Sequence, residues 1–315
     1  KNGAKFYPEL VEQLKELVTV DIGYKRVGAL SIDWNMEKLD KTEERVRKRY
    51  EDAPETGEIR RLSPAQAKEF VPIIAEYGAV YVSGAARVNG KALRDALLQA
   101  AMKLGASFIQ GDATLTFTKQ KVDGVVVNGE KKEADRVIVT AGAWARTLIK
   151  PLGISFLIKP QKAQIIHLRI DEKATGNWPA VMFPSNKYML PFEDGRIVVG
   201  TTYESDAGFD LARTTKGVYE ILDAAVTHAP ALISSTIEDI YVGFRPIAPG
   251  YHPIIGPLPG YDGILVANGL GATGLTAGPY LGKELANIAL GEETKLDLTE
   301  YDVMRAIGKT EDETW

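Results

Sequence analysis

Two stretches constrain the fold of this chain more than any other feature: DRVIVTAGAWA, residues 135–145, and GILVANGLGATG, residues 263–274. Each is an apolar run that stops at a glycine turn and passes directly into a helical pattern. The segment between them reads as largely antiparallel strands, so the chain must leave one α/β sheet, build a second sheet and return. The second turn, GLGATG, has the G-x-G-x-x-G spelling of a dinucleotide-binding loop. A complete loop of that kind needs a strand before it, a helix after it, a second parallel strand, and an acidic residue about 20 positions on to hold a ribose hydroxyl. Only the strand and the helix are present. After the helix comes KLDLTEYDVMRAIGKTEDETW, and Glu292 and Glu293 precede it. Two readings of the turn stay open. A helix N-terminus and closely approaching backbone can bind an anion or a ring, or the glycines only let the helix pack tightly on its strand. Thr140-Ala141-Gly142 raises the same choice. Together the two turns fit a ligand lying across the C-terminal edge of one sheet assembled from discontinuous segments.

The rest of the chain fills in that plan. Pro8 is expected to open an amphipathic helix carrying Leu10, Leu14, Leu17 and Val18, followed by a strand over 24–33, a charged helix over 39–50 and a helix capped by Ser63 with Gln66. From Gly78 the expectation is a β-α-β unit: AVYVS, a helix over 90–104, and SFIQ. A meander of TLTFT and GVVVN follows, with Asn128-Gly129 as a tight turn. From Pro151 the strands QIIHLRI, AVMF, KYMLPF and RIVVGTT are expected to be antiparallel, the last two joined by Glu193-Asp194-Gly195. A helix near 214–228 should follow, with His228 as a cation at its C-terminus. RPIAPGYHPIIGPLPGYDG, with five prolines and four glycines, fits no regular element and is expected to be a shaped loop.

Composition excludes several functions. At 315 residues, 45% apolar and 25% charged, the chain has enough apolar sequence for one large or two medium soluble domains. A net charge of -4 and the absence of a long basic block argue against nucleic-acid or anionic-membrane partners. No apolar run approaches the roughly 20 residues of a membrane span. There are no cysteines, which removes disulfides, thiol catalysis and thiolate metal sites. His167, His228 and His252 lie too far apart for a local metal motif.

DRVIVTAGAWA, together with GFRPIAPGYHPIIGPLPGYDGILVANGLGATGLTAGPYLG, resembles the FAD-dependent amino-acid oxidase superfamily that includes glycine oxidase, D-amino-acid oxidase and sarcosine oxidase. The likeness runs along nearly the whole chain and is most specific in the final third. It implies a mixed α/β and antiparallel β fold, with a flavin domain and a substrate domain that exchange the chain several times. The expected segments are 1–77 and 151–247 for the substrate domain, 78–150 and 248–292 for the flavin domain, and a tail over 293–315. Members of the family begin with a βαβ unit bearing G-x-G-x-x-G. The first 60 residues here hold only Gly3, Gly23, Gly28 and Gly57, so the expectation is a chain without that unit, binding FAD weakly and inactive alone.

The resemblance also assigns roles. Arg245 matches a carboxylate-binding arginine, the alternative from the residues being a salt bridge to Glu238 or Asp239. Tyr188 matches a tyrosine facing the substrate, the alternative being a core tyrosine. Thr114 would lie near the adenine end of FAD, and Thr140, Ala141, Gly142 and Trp144 would border the flavin. Gly269, Leu270, Gly271, Ala272, Thr273 and Gly274 would place a helix N-terminus near flavin N1 and O2. Glycine oxidases carry a basic side chain where Ala272 stands, a departure that bears on the substrate. The lack of Cys leaves only non-covalent FAD. The implied activity is oxidation of the C–N bond of a small amino acid or amine, with O2 as acceptor, in a cytoplasmic protein. A nicotinamide-dependent dehydrogenase and a non-catalytic remnant are the alternatives.

Overall fold

A computed structural model describes residues 1–309 of the chain. The first third contains α1 (Asn2–Leu17), β1 (Lys25–Arg26), β2 (Ala29–Asp33), α2 (Met36–Asp52), β3 (Ile59–Leu62), α3 (Pro64–Phe70), β4 (Gly78–Val82), β5 (Ala86–Arg87) and α4 (Gly90–Lys103). There follow β6 (Ala113–Thr118), β7 (Lys121–Val127), β8 (Glu130–Glu133), β9 (Val137–Val139), α5 (Ala145–Ile149), β10 (Lys159–Arg169), β11 (Ala180–Met182), β12 (Tyr188–Pro191) and β13 (Arg196–Gly200). The chain continues with α6 (Thr215–His228), β14 (Thr236–Ile247), β15 (Ile254–Pro257), β16 (Ile264–Asn268) and α7 (Gly274–Leu290).

The largest sheet has eight strands in the order β14-β10-β13-β12-β11-β2-β4-β3. Its pairs are antiparallel except β11 with β2. Alternation along these strands buries Leu30, Ile166, Leu168, Val181, Met189 and Ile197 on one face, where Ala67 of α3 and Ile221 and Ala225 of α6 close the core. Capping starts both helices where the sequence requires it. Ser63 and Gln66 form a complete capping box, and the Thr214 side chain accepts from Gly217 N. A smaller sheet, β15-β16-β9, pairs β16 with β9 in parallel and with β15 antiparallel. Its core includes Val139, Ile149, Phe156, Ile254, Ile264 and Val266. The meander β6-β7-β8 is a separate sheet, turned by Asn128 and Gly129, both at positive φ.

Several expectations are corrected. AVYVS, as β4, pairs with β2 and β3 in the large sheet, so it belongs with the segment before Gly78 and does not open a β-α-β unit. SFIQ is not a strand: residues 107–110 are irregular, with Phe108 and Ile109 exposed. An apolar run becomes a strand only where a neighbour pairs its backbone, and no described strand pairs with this one; Gln110 O instead accepts from Asn128 Nδ2 at 2.9 Å. The strand expected over 24–33 breaks at Gly28, whose φ is +78° and where a Cβ would come within 2.6 Å of the Tyr81 ring. Pro8 lies inside α1, which starts at Asn2; the early turns are held by α7, since Gly3 lies so close that a Cβ there would be 2.1 Å from Thr276 O. The proline-rich segment contains a strand, β15, on the edge of the smaller sheet, where its Pro257 needs no ladder partner. Residues 293–309 are packed rather than free, burying Val303 and Ala306 in the core of that sheet; the remainder of the expected tail, 310–315, lies outside the described residues.

His228 ends α6 as expected, but not as a cation. It is buried, and its Nδ1 is 2.9 Å from Tyr77 Oη. Burial pulls its pKa below the ordinary 6.5, with Asp33 and Asp223 acting the other way. A depressed folded-state pKa gives stability that is present above the unfolded value and lost as pH falls through the folded one. The melting temperature should therefore fall as pH drops below about 6.5, and His228→Phe should flatten that slope in thermal unfolding series. His167, similarly depressed by burial, leaves a residual slope.

Candidate active site

The order of strands in the large sheet brings Arg245 and Tyr188 to the same end. Arg245 lies near the end of β14 and pairs in register with Gln161 of β10. β13 runs antiparallel to β10 and ends at Gly200, which pairs with Tyr188 at the start of β12. The chain leaving β13 then places Thr201, Thr202 and Tyr203 against the arginine. Arg245 Nη1 donates to Gln161 Oε1 at 3.1 Å and Thr202 O at 3.2 Å, and Nη2 donates to Thr201 Oγ1 at 3.0 Å. The Tyr203 ring covers the guanidinium, with its centroid 4.6 Å from Cζ.

Every one of these partners is neutral. The carboxylates weighed from sequence are engaged elsewhere: Glu238 Oε1 accepts from Arg169 at 2.6 Å and Asp239 lies 3.5 Å from Arg213. Among the described residues no carboxylate forms an ion pair with Arg245. The guanidinium is half-buried, and burial pulls its pKa below the ordinary value, while Tyr203 and Tyr188 act to raise it. A partly desolvated arginine held by neutral oxygens has unused charge and, with its planar fork, suits a carboxylate. Tyr188 is also half-buried. Burial raises its pKa above the ordinary value against the lowering influence of Arg245, so its hydroxyl remains a neutral hydrogen-bond donor at physiological pH.

Both glycine turns converge on this end of β14. β9 leads into Thr140 and Ala141, then a short 3-10 turn over Gly142–Trp144. Trp144 is edge-on to Phe244 at 5.9 Å and stacked on Phe209 at 5.1 Å. From the other side, Leu270 forms a β-bridge with Ile247. Asn268, which the sequence reading overlooked, joins the turns. Its buried Nδ2 donates to Gly142 O at 2.9 Å, while its Oδ1 accepts from Gly269 N at 2.7 Å. A polar residue ending an otherwise apolar strand, one position before a glycine at φ +73°, was the available signal. Asn268→Ala should leave both backbone groups without their partner and cost about 1–3 kcal/mol, measurable by urea unfolding, together with weaker FAD binding.

Each turn has one glycine that faces open space. A Cβ at Gly142 or Gly274 would meet nothing within 4 Å. α7 begins at Gly274 without a side-chain cap, so its first backbone N–H groups are free of side-chain partners. Gly271, Ala272 and Thr273 form the 3-10 turn before it, with Ala272 exposed. The parallel partner of β16 is β9, which precedes it in sequence, so GLGATG is not a mononucleotide half, as its letters in context indicated. Thr114 is on β6, exposed and paired with Val126, in a different sheet from both turns. No group of three or more His, Asp or Glu among the described residues could hold a metal. No described helix is long and apolar enough to cross a membrane.

A family model described as FAD dependent oxidoreductase (DAO) matches residues 3–288. An uncharacterized oxidoreductase of Bacillus subtilis, YurR, is 51% identical over 309 residues, which are 98% of this chain and 83% of that protein. Glycine oxidase of Pseudomonas putida is 28% identical, covering 94% of this chain and 79% of its own length. The crystal structure of iminodiacetate oxidase from Chelativorans sp. BNC1 superposes with a TM-score of 0.93 at 39% identity, over 96% of this chain and 82% of that one.

Proposed function

This chain belongs to the DAO family of FAD-dependent oxidoreductases, and from that premise we propose that it oxidises the C–N bond of a small amino acid whose carboxylate is held by Arg245. The observation that carries this reading is the half-buried arginine whose partners are all neutral. A substrate carboxylate completes its charge and fixes the carbon that bears the nitrogen. Tyr188 contributes a neutral donor on the same side, and the packed rings of Trp144, Phe209 and Phe244 supply an apolar surface beside it.

The residues present fit FAD. Thr140, Ala141, Gly142 and Trp144 would border one side of the flavin ring, and Gly269, Leu270, Gly271, Ala272, Thr273 and Gly274 the other, with Thr114 toward the adenine end. When bound, FAD supplies the two-electron acceptor for the hydride leaving the C–N carbon, with O2 as the final oxidant. The start of α7, which has no side-chain cap, favours negative charge beside it. The product imine hydrolyses to an oxo acid and an amine.

Both iminodiacetate oxidase and glycine oxidase are relatives, and Ala272 stands where glycine oxidases carry a basic side chain, so an N-substituted amino acid suits this site better than glycine. The protein should release peroxide from N-substituted glycines in the presence of FAD, more efficiently than from glycine. Peroxide from neither, with the protein folded and FAD bound, would refute the proposal.

A further inference from the structure

The segment from Thr201 to Thr214 supplies three of the groups around Arg245, yet it has no strand or helix to hold it. What holds it is a short run of β10, Gln161 to Gln164. Gln161 Nε2 donates to Ser205 Oγ at 3.1 Å, while its Oε1 accepts from Arg245. Gln164 Nε2 donates to Glu204 Oε1 at 2.8 Å and to Thr214 Oγ1 at 2.9 Å, and its Oε1 accepts from Thr214 N at 3.1 Å. Between them, Lys162 is fully buried. Its backbone exchanges two hydrogen bonds with Glu204, at 3.1 and 3.0 Å. Its ammonium reaches Asp210 Oδ2 at 2.7 Å and lies 3.7 Å from Glu204 Oε2.

We propose that Lys162 is a positioning residue: its buried ammonium ties residues 204 and 210 to the sheet and so fixes Thr201, Thr202 and Tyr203 in the places that orient Arg245. The inference rests on the reading of Arg245 as the carboxylate site. A buried lysine is costly unless paired, and this one is matched by two carboxylates from the same loop. The hydrogen bond from Lys162 keeps the Asp210 carboxyl below its ordinary pKa. Burial raises that of Glu204, but hydrogen bonds from Gln164 and Thr202 and the charge of Lys162 outweigh it. Phe209, one residue before Asp210, packs against Phe244 and Trp144, so the same tie also sets the apolar wall. The loop is thereby a fixed side of the site and not a lid.

Two variants test this in the full-length protein loaded with FAD. Lys162→Met keeps most of the buried volume without the charge; Asp210→Asn, at a half-exposed carboxylate, removes charge with little risk to folding. Arg213 is the one trypsin site between 201 and 214 and reports loop opening without reference to activity. Both variants should be cleaved there faster than the parent. KM for the carboxylate substrate should rise about tenfold in Lys162→Met and less in Asp210→Asn, with kcat changing less than KM. Unchanged cleavage and KM in Asp210→Asn overturns the proposal, whether or not Lys162→Met folds. Faster cleavage with unchanged KM also overturns it, leaving the Arg245 reading intact. The Arg245 reading is itself tested separately by Arg245→Ala.

Discussion

Arg245→Ala is expected to lower kcat/KM for the amino-acid substrate by roughly 30-fold to several-thousand-fold, the equivalent of about 2–5 kcal/mol for truncating one member of a buried charge pair. The charge is half-buried and its remaining partners are the side chains of Gln161 and Thr201 and the Thr202 carbonyl. None of these can replace a cation for a carboxylate. Arg245→Lys should recover only part of the loss, since a point charge cannot reproduce the planar fork. Steady-state kinetics with the full-length protein, alongside flavin absorbance to confirm loading, provides the measurement. An unchanged kcat/KM in the alanine variant contradicts the assignment.

The largest effect on stability is expected from Gly269→Val. Gly269 has φ +73° and is buried in the turn, where a Cβ would lie 2.6 Å from Ala248 Cβ and 3.2 Å from His252 O. A β-branched residue there combines left-handed backbone strain with overpacking, each costing about 1–3 kcal/mol. Thermal unfolding should show a drop of several degrees. Gly274→Ala is the informative counterpart. Its φ is -52° and a Cβ meets nothing within 4 Å, so folding should be unaffected while FAD affinity falls if the ring lies against this turn. A fall in stability at Gly274 with unchanged FAD binding would mean that the turn only packs a helix on a strand.

The strands and turns that frame the candidate site were legible because their signals are local in sequence. An apolar run ending in glycine predicts a strand and a turn, and β9 and β16 with the turns after them were found that way. Arg245 was assigned by the resemblance of its motif, and it lies inside β14, in the opening of the stretch whose prolines and glycines read as a loop. What the sequence concealed is long-range. AVYVS reads as any apolar strand, and only pairing with β2 and β3 determines its sheet. SFIQ has strand letters but no described partner. Asn268 gains its role from a carbonyl 126 positions away, and Lys162 from carboxylates 42 and 48 positions on. His228 looked like a helix-end cation, because burial against Tyr77 is invisible in its neighbours. Periodicity reports which face is apolar; it does not report what covers that face.

The most direct test is anaerobic mixing of the FAD-loaded full-length protein with an N-substituted glycine and, separately, with the same amine lacking its carboxylate. Flavin absorbance near 450 nm reports whether the ring has taken up electrons (about 450 nm is the ordinary oxidised-flavin band). The account predicts rapid bleaching by the amino acid and little or none by the bare amine at equal concentration, a difference abolished in Arg245→Ala. Equal bleaching by both compounds, or none by any amino acid offered to a folded and FAD-loaded protein, would contradict it.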